Sequence, residues 1–144
     1  NLVNEIKNYS LFRTYRCSPM TLFELQETVL KYINKQEKAI PFWNLIAQPY
    51  YSLEDRCKNI AKSISFSTSI EKGESVIGGG TLPGVTLESP ILHINNDKTV
   101  NTISQLIRND IPIVPRIIKD QVCLDLRSVF HNQDDIIVQA LNNS

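Results

Sequence analysis

Residues 63–95 read SISFSTSIEKGESVIGGGTLPGVTLESPILHIN, and they decide the fold class. The first part alternates apolar or β-branched residues with polar residues, which is the period of a half-buried β-strand. Residues 85–95 form a second extended, apolar stretch. All five glycines of the chain lie between residues 73 and 84. The sequence therefore predicts two strands joined by a glycine-rich loop.

The residues after this stretch alternate between helix and strand patterns. Residues 99–108 have helical apolar spacing, residues 113–119 and 122–127 read as strands joined by a turn at residues 120–121, and residues 136–141 read as a closing helix. This order predicts an α+β fold. We expect a two-layer sandwich of a mainly antiparallel sheet with helices on one face.

The strongest helical pattern before the sheet begins near Ser18. Ser18, Pro19 and Thr21 are typical helix-start residues, and Glu24 follows Thr21 by three positions, as in a capping box. The apolar spacing then continues to about residue 36.

Shorter patterns flank this helix. They are helices at residues 1–9, at residues 42–46 and at residues 53–61 with Ser52 as cap, and an irregular stretch at residues 11–19. We therefore expect two parts in the chain. Residues 1–62 form a helical connector, and residues 63–144 form the α+β domain.

The charge balance excludes some function classes. The 144 residues carry 15 basic and 15 acidic side chains, so the formal net charge is zero. This argues against a freestanding nucleic-acid binder, whose affinity comes largely from Lys and Arg neutralising phosphates. No apolar run approaches the roughly 20 residues that span a bilayer, and no signal-peptide pattern is visible. We expect a cytoplasmic protein without a membrane anchor.

The cysteines do not form a metal-binding motif. Cys17, Cys57 and Cys123 are far apart, no CxxC pair is present, and only His93 and His131 could join them as ligands. A zinc site is therefore not predicted. We expect three reduced thiols, as is usual in the cytosol.

The glycine-rich loop is the first candidate site. Gly78, Gly79, Gly80 and Thr81 could offer backbone amides to a phosphate or carboxylate, because glycine lets a ligand approach the backbone closely. The loop matches neither a Walker motif nor the GxGxxG dinucleotide motif. A tight connection between strands explains the glycines equally and is the interpretation we favour for the sequence alone.

Arg13 and Arg16 form the second candidate site. In a helix or tight turn, a spacing of three residues places both guanidinium groups on one side. Two such groups suit an oxyanion, since each can donate to two oxygens. Spacing alone favours the alternative, which is a solvated basic surface with ordinary ion pairs.

Other charged residues have structural explanations. Arg116 and Arg127 lie on the two predicted hairpin strands with Asp125, which predicts a cross-strand salt bridge. His93 reads as a packed strand residue and His131 as part of a polar turn. No Cys–His or Ser–His–Asp arrangement can be assembled from the sequence.

Four stretches, in this order, resemble bacterial L-seryl-tRNA(Sec) selenium transferases, the selenocysteine synthases. They are Arg13 and Arg16 followed by MTLFELQETVLKYI, then IPFWNLIAQPYYSLEDRCKNIAKSI at residues 40–64, IGGGTLPGVTL at residues 77–87 and VPRIIKDQVCLDLRSV at residues 114–129. The resemblance covers nearly the whole chain.

The resemblance implies a fold and a chemistry. These enzymes use pyridoxal phosphate on a fold-type-I scaffold to convert seryl-tRNA(Sec) to selenocysteinyl-tRNA(Sec), with selenophosphate as the selenium donor. This chain would be their small C-terminal domain. The lysine that binds the cofactor would lie in a large domain before Asn1, so the fragment alone would be inactive. Family members also assemble into homo-oligomers.

The resemblance also implies roles for residues. Arg13 and Arg16 match the arginine pair that helps to bind the anionic selenium donor, while residues 78–81 would at most contact ligands from their loop. This chain departs from the family after Arg16, where it has Cys17-Ser18-Pro19 instead of x-Asp-Lys. That departure puts the parent protein's substrate in doubt.

Two alternatives to this function remain open from the sequence. The chain could be a non-catalytic oligomerisation or interaction domain of a divergent relative. It could also be the small domain of another fold-type-I pyridoxal-phosphate enzyme.

Overall fold

The computed structural model describes residues 1–78, 84–95 and 99–143. Ten α-helices and strands are defined within them. In chain order they are α1 Leu2–Asn8, α2 Pro19–Ile33, α3 Pro41–Ile46, α4 Tyr50–Ser63, β1 Ser67–Val76, β2 Thr86–Asn95, α5 Thr99–Ile107, β3 Arg116–Ile118, β4 Gln121–Asp125 and α6 Asp134–Asn142. Short 3-10 helices are Ser10–Tyr15, Glu37–Ala39, Leu126–Ser128 and His131–Gln133.

The chain divides into two compact units, Asn1–Trp43 and Asn44–Ser144. Helix α4 therefore belongs to the unit that contains the sheet, and residues 44–62 are not part of the first unit. The expected connector to an upstream domain stays a prediction about the parent protein.

In the first unit, Ser18 starts α2. Its Oγ accepts a hydrogen bond from the Thr21 amide at 3.1 Å, and Pro19 occupies the first turn, where its missing N–H costs nothing. The predicted capping box of Thr21 and Glu24 is therefore wrong, because Thr21 is already inside the helix. The stretch predicted to be irregular contains the 3-10 helix Ser10–Tyr15.

In the second unit, four strands form one antiparallel sheet in the order β1-β2-β4-β3. Leu92 of β2 lies opposite Leu124 of β4, and Ile94 lies opposite Val122. These four side chains are buried in the core together with residues of α4, α5 and α6. The predicted α+β class, with a mainly antiparallel sheet and helices, is confirmed.

Three local predictions in this unit are corrected. The first strand begins at Ser67 and not near residue 64, and it continues to Val76. The hairpin turn is at Lys119 and Asp120, whose φ angles are 51° and 62°, and not at residues 120–121. Helix α4 begins at Tyr50, so Ser52 lies inside it and does not cap it.

Arg56 of α4 links three elements of this unit. Its guanidinium forms two hydrogen bonds to the Asp134 carboxylate, at 3.0 and 2.6 Å, and donates to the carbonyls of Leu126 and Val129. Arg56 is 5% exposed. A buried charge needs such complete pairing, so this network fixes α4 against α6 and the turn after β4.

Candidate anion-binding surface

Arg13 and Arg16 lie one 3-10 turn apart in the first unit. The amide of Arg16 donates to the carbonyl of Arg13 at 3.4 Å, at the end of the 3-10 helix Ser10–Tyr15. Side chains three residues apart eclipse each other in a 3-10 turn. The two side chains therefore leave the turn on the same side.

Both arginines are exposed. Within residues 1–78, 84–95 and 99–143, neither guanidinium forms a salt bridge or a side-chain hydrogen bond. Elsewhere in the chain, Lys58 pairs with Glu54 at 2.6 Å and Lys72 pairs with Glu88 at 2.8 Å. The turn therefore presents two positive charges that no described carboxylate neutralises, which is the arrangement an oxyanion requires.

The residues that follow Arg16 lead into helix α2 and add no charged side chain to the arginine pair. Ser18 caps α2 and Pro19 is its first residue, while Cys17 is exposed with a free thiol. A carboxylate or ammonium group that follows Arg16 in the resembled family has no counterpart here. Anion binding at this turn would depend on the two guanidinium groups.

The glycine-rich loop lies mostly outside the described residues. Gly79, Gly80 and Thr81 are not described, whereas Gly78 and Gly84 are. Gly84 has a φ of +83°, a conformation that glycine adopts without strain. The expected ligand contacts of the loop stay a prediction.

Asp125 is the centre of a polar cluster on the sheet face opposite the helices. Its carboxylate accepts hydrogen bonds from Ser75 Oγ at 2.5 Å, from Ser89 Oγ at 2.8 Å and from Arg116 at 3.1 Å. The predicted salt bridge between the hairpin strands is thus confirmed for Arg116. The cluster joins all four strands, since these four residues belong to β4, the end of β1, β2 and β3.

Arg127 does not take part in that salt bridge. The chain leaves β4 into the 3-10 helix Leu126–Ser128, so Arg127 does not lie on the strand next to Asp125. It donates to the carbonyls of Ile46 and Gln48 at 3.0 and 2.8 Å and to that of Glu88. Burial lowers the pKa of Arg127 from its ordinary value. Its role is to hold the end of α3 and the connection to α4 against β2.

The structure brings together a cysteine and a histidine that the sequence analysis left apart. Cys123 Sγ lies 3.2 Å from His93 Nδ1, and Glu71 Oε2 lies 3.8 Å from the other ring nitrogen. The β2–β4 register, which pairs His93 with Cys123, creates this contact. Nothing in the local sequence gives that register, although the alternation of each strand predicts which face each residue occupies.

This pair is closed to solvent. Cys123 is fully buried and His93 is 4% exposed, and burial raises the pKa of the Cys123 thiol above its ordinary value. A protonated thiol is a poor nucleophile and a poor metal ligand. In the described part of the chain, no group of three or more His, Cys, Asp and Glu side chains could hold a metal ion. We therefore assign the pair a packing role.

None of the helices described is long and apolar enough to cross a membrane.

Comparison with known proteins identifies the family. A sequence model described as L-seryl-tRNA selenium transferase matches residues 1–130. Proteins named L-seryl-tRNA(Sec) selenium transferase match nearly the whole chain. The one from Clostridium perfringens is 30% identical over 148 residues, covering 96% of this chain and 32% of its own length. The one from Campylobacter fetus is 30% identical over 141 residues, covering 98% and 31%.

A relative of the same name from Clostridium botulinum is 32% identical over 148 residues, covering 95% of this chain and 32% of its own length. The chain therefore spans about a third of the length of the curated relatives it matches. The residues that the family model matches include the arginine turn and all four strands of the sheet. The chain belongs to the L-seryl-tRNA selenium transferase family.

Proposed function

We propose that this chain is the C-terminal part of a pyridoxal-phosphate-dependent L-seryl-tRNA(Sec) selenium transferase, and that Arg13 and Arg16 bind its anionic selenium donor. The observation that carries the proposal is the turn on which two exposed, unpaired guanidinium groups leave on one side. Selenophosphate is an oxyanion, and paired guanidinium groups bind oxyanions through charge-assisted, bidentate hydrogen bonds. The partner in the reaction would be seryl-tRNA(Sec), in the cytoplasm.

The surface of the first unit supports a larger parent protein. None of residues 1–43 is buried, although this stretch carries many large apolar side chains. On α2 alone the exposed ones are Met20, Leu22, Phe23, Leu25, Val29, Leu30, Tyr32 and Ile33. Apolar surface of this extent usually contacts other polypeptide. We expect it to pack against the upstream domain or against a second subunit of a homo-oligomer.

Two of the described lysines, Lys58 and Lys72, do not fit the cofactor's attachment site. A lysine that forms a Schiff base is usually buried with a lowered pKa. Hydrogen bonds to Glu54 and Glu88 instead raise the pKa of Lys58 and of Lys72, and both lysines are on the surface. We place the cofactor, which supplies the electron sink for the chemistry, in the upstream part of the parent, as the family resemblance implies. This chain would contribute only the binding and orientation of the anion.

The test uses the full-length parent protein. Phosphate or thiosulfate should raise its melting temperature, because a ligand that binds only the folded state stabilises it by about 2.7 kcal/mol at one hundred times its Kd. The double variant Arg13→Ala/Arg16→Ala should lose this protection. Arg108→Ala, which removes another exposed arginine, should keep it. Equal protection in both variants would contradict the assignment.

Activity provides the second measurement. Each charge-assisted hydrogen bond contributes about 1.5–3 kcal/mol, so removing both arginines should lower kcat/KM for selenium transfer by about 10²- to 10⁴-fold. A parent that binds no cofactor, with no absorbance lost on borohydride treatment, would instead favour the non-catalytic interaction domain. The family match already excludes the small domain of an unrelated fold-type-I enzyme.

A further inference from the structure

The β1–β2 hairpin extends beyond the rest of the sheet. Strand β1 pairs with β2 over its whole length of ten residues. Strand β4 pairs only with residues 91–94 of β2. Residues 73–76 and 86–89, which we call the hairpin end, therefore form a ribbon of two strands. A two-stranded ribbon alone is marginally stable in water, so the hairpin end depends on its other contacts.

The hairpin end bends over the sheet face that carries Asp125. Ser75 of β1 donates to the Asp125 carboxylate at 2.5 Å, although β2 lies between β1 and β4. In a flat sheet, two strand spacings would separate β1 from β4 by about 9.5 Å. Ser75 also lies further along β1 than Glu71, the residue in register with Ile91 and, through it, with Asp125. The contact therefore requires the ribbon to turn back across the face.

Two neighbouring register positions explain where the ribbon bends. Gly73 of β1 lies opposite Ser89 of β2, and the next pair is Lys72 opposite Pro90. A Cβ on Gly73 would lie 2.5 Å from Cγ1 of Ile91, so the missing side chain lets the bend close on Ile91. Proline has no N–H to donate to the ladder, and glycine within a strand is typical of a bend. Gly73 and Pro90 therefore mark the bend in the two strands.

Polar contacts to β4 and β3 hold the bent ribbon. Asp125 accepts hydrogen bonds from Ser75 and, at 2.8 Å, from Ser89. Arg116 of β3 donates to Asp125 at 3.1 Å and to the Glu74 carbonyl at 2.9 Å. The side chain of Asp125 is 10% exposed, so these bonds form where water is largely excluded and electrostatic interactions are stronger. We call Asp125 and its three side-chain partners the latch.

Apolar packing contributes little to this attachment. Among the described residues, the apolar core takes side chains from α4, α5, α6, β2 and β4, but none from the hairpin end. Val76, at the end of β1, is 63% exposed. Besides the latch, Arg127 donates to the Glu88 carbonyl. Regions with few buried apolar contacts open locally at a lower free energy than that of global unfolding.

We propose that the hairpin end is a hinged strap that opens from the latch while the rest of the second unit stays folded. Gly73 and Pro90 form the hinge, and Asp125 holds the closed conformation. Opening brings the Asp125 carboxylate and its partners into contact with water. A ligand that binds one of the two conformations better shifts the balance between them. This motion involves the second unit alone and is independent of the proposed role of Arg13 and Arg16.

Hydrogen exchange of the full-length parent protein, followed by mass spectrometry in increasing urea, tests the strap. The protected amides of the hairpin end should exchange at least about 10-fold faster than those of residues 91–94, since local opening needs less free energy. Their exchange should also depend weakly on urea, because opening the strap exposes little surface. Equal rates and equal urea dependence in the two regions would overturn the proposal.

A latch variant and a matched control test the role of Asp125. Ser75→Ala should speed exchange in the hairpin end by about 10- to 100-fold, the range for loss of one hydrogen bond to a charged group. Lys72→Gln, on the same hairpin, removes the ion pair with Glu88, in which both side chains are 66% exposed. Exposed ion pairs contribute little, so this control should exchange like the wild type. If Ser75→Ala also exchanges like the wild type, Asp125 is not the latch.

A core variant separates opening of the strap from unfolding of the whole unit. Ile137→Val shortens a buried side chain of α6. It should speed exchange of residues 91–94 by about 2- to 10-fold, as this substitution does in cores, and leave the hairpin end unchanged. The same acceleration in the hairpin end would show that its amides exchange only when the whole unit unfolds, and the strap would then be rejected.

Discussion

Gly73 is the position in β1 at which a side chain would collide with its neighbour. A Cβ built on Gly73 would lie 2.5 Å from Cγ1 of Ile91. Ile91 is 2% exposed, so its side chain is held by surrounding atoms. Gly84 is different, since its φ is +83° and a Cβ there would meet nothing within 4 Å. One glycine is required for space and the other for backbone conformation.

We predict that Gly73→Ala lowers the free energy of unfolding by about 1–3 kcal/mol, as overpacking does in cores. Alanine would otherwise be favoured over glycine within a strand. Ile91→Ala removes Cγ1, so Gly73→Ala in that background should cost at least about 0.5 kcal/mol less than in the wild type. Urea unfolding of the four proteins measures the coupling. If the stability changes of the two substitutions simply add, Gly73→Ala does not collide with Ile91.

At the scale of the element, the end of α2 depends on one lysine. Lys35 has a φ of 54°, its amide donates to the Tyr32 carbonyl at 3.1 Å, and the Gln36 amide donates to the Lys31 carbonyl at 2.8 Å. These bonds form a Schellman motif, which normally has glycine at the left-handed position. The helix therefore ends at Ile33 with a residue that adopts this conformation at a cost.

We predict that Lys35→Gly stabilises the helix by about 1 kcal/mol, because it removes the cost of a left-handed Cβ. The same change one turn earlier, Lys31→Gly, should destabilise it by about 1 kcal/mol, since glycine is unfavourable inside a helix. Thermal unfolding followed by far-ultraviolet circular dichroism compares the two. A loss of stability in both variants would show that Lys35 is not strained.

The sequence predicts elements well where local pattern decides them. The second strand, expected at residues 85–95, is Thr86–Asn95, and the next helix, expected at residues 99–108, is Thr99–Ile107. Their apolar spacing is strong and needs no partner to define it. The apolar spacing predicts that α2 extends about three residues beyond Ile33, because no glycine marks the Schellman motif at Lys35.

Features that depend on strand pairing were harder to predict. A spacing of three residues brings Arg13 and Arg16 to one side once a local turn forms, although this turn lies in a stretch that the sequence predicts to be irregular. The contact between His93 and Cys123 could not be predicted, since it requires the β2–β4 register across 30 residues. The strand pattern predicts that β4 continues through Arg127, whereas the chain turns into a 3-10 helix after Asp125.

At the scale of the whole molecule, burial divides the three cysteines into two classes. Cys17 is exposed, whereas Cys57 and Cys123 are buried in the second unit. Burial raises the pKa of the Cys57 thiol to about 12 and also raises the pKa of the Cys123 thiol. Exclusion from water disfavours the thiolate, so the folded state keeps these protons at a pH at which the unfolded chain releases them.

This difference in proton binding determines whether the free energy of unfolding rises or falls with pH. Between about pH 9 and the folded pKa of Cys57, about 12, the unfolded state binds fewer protons than the folded state. The free energy of unfolding therefore falls as pH rises, by about 1.4 kcal/mol per pH unit for one thiol.

We predict that Cys57→Ala is less stable than the wild type at pH 7 but loses stability less steeply above pH 9. Urea unfolding at several pH values measures how steeply the free energy of unfolding falls with pH in each protein. The raised pKa values of Lys58 and Lys72 also lower stability as pH rises. Both lysines are present in both proteins, so their effect cancels in the comparison. Equal slopes would mean that the Cys57 thiol ionises in the folded state as readily as in the unfolded chain, and that the core around α4 admits water.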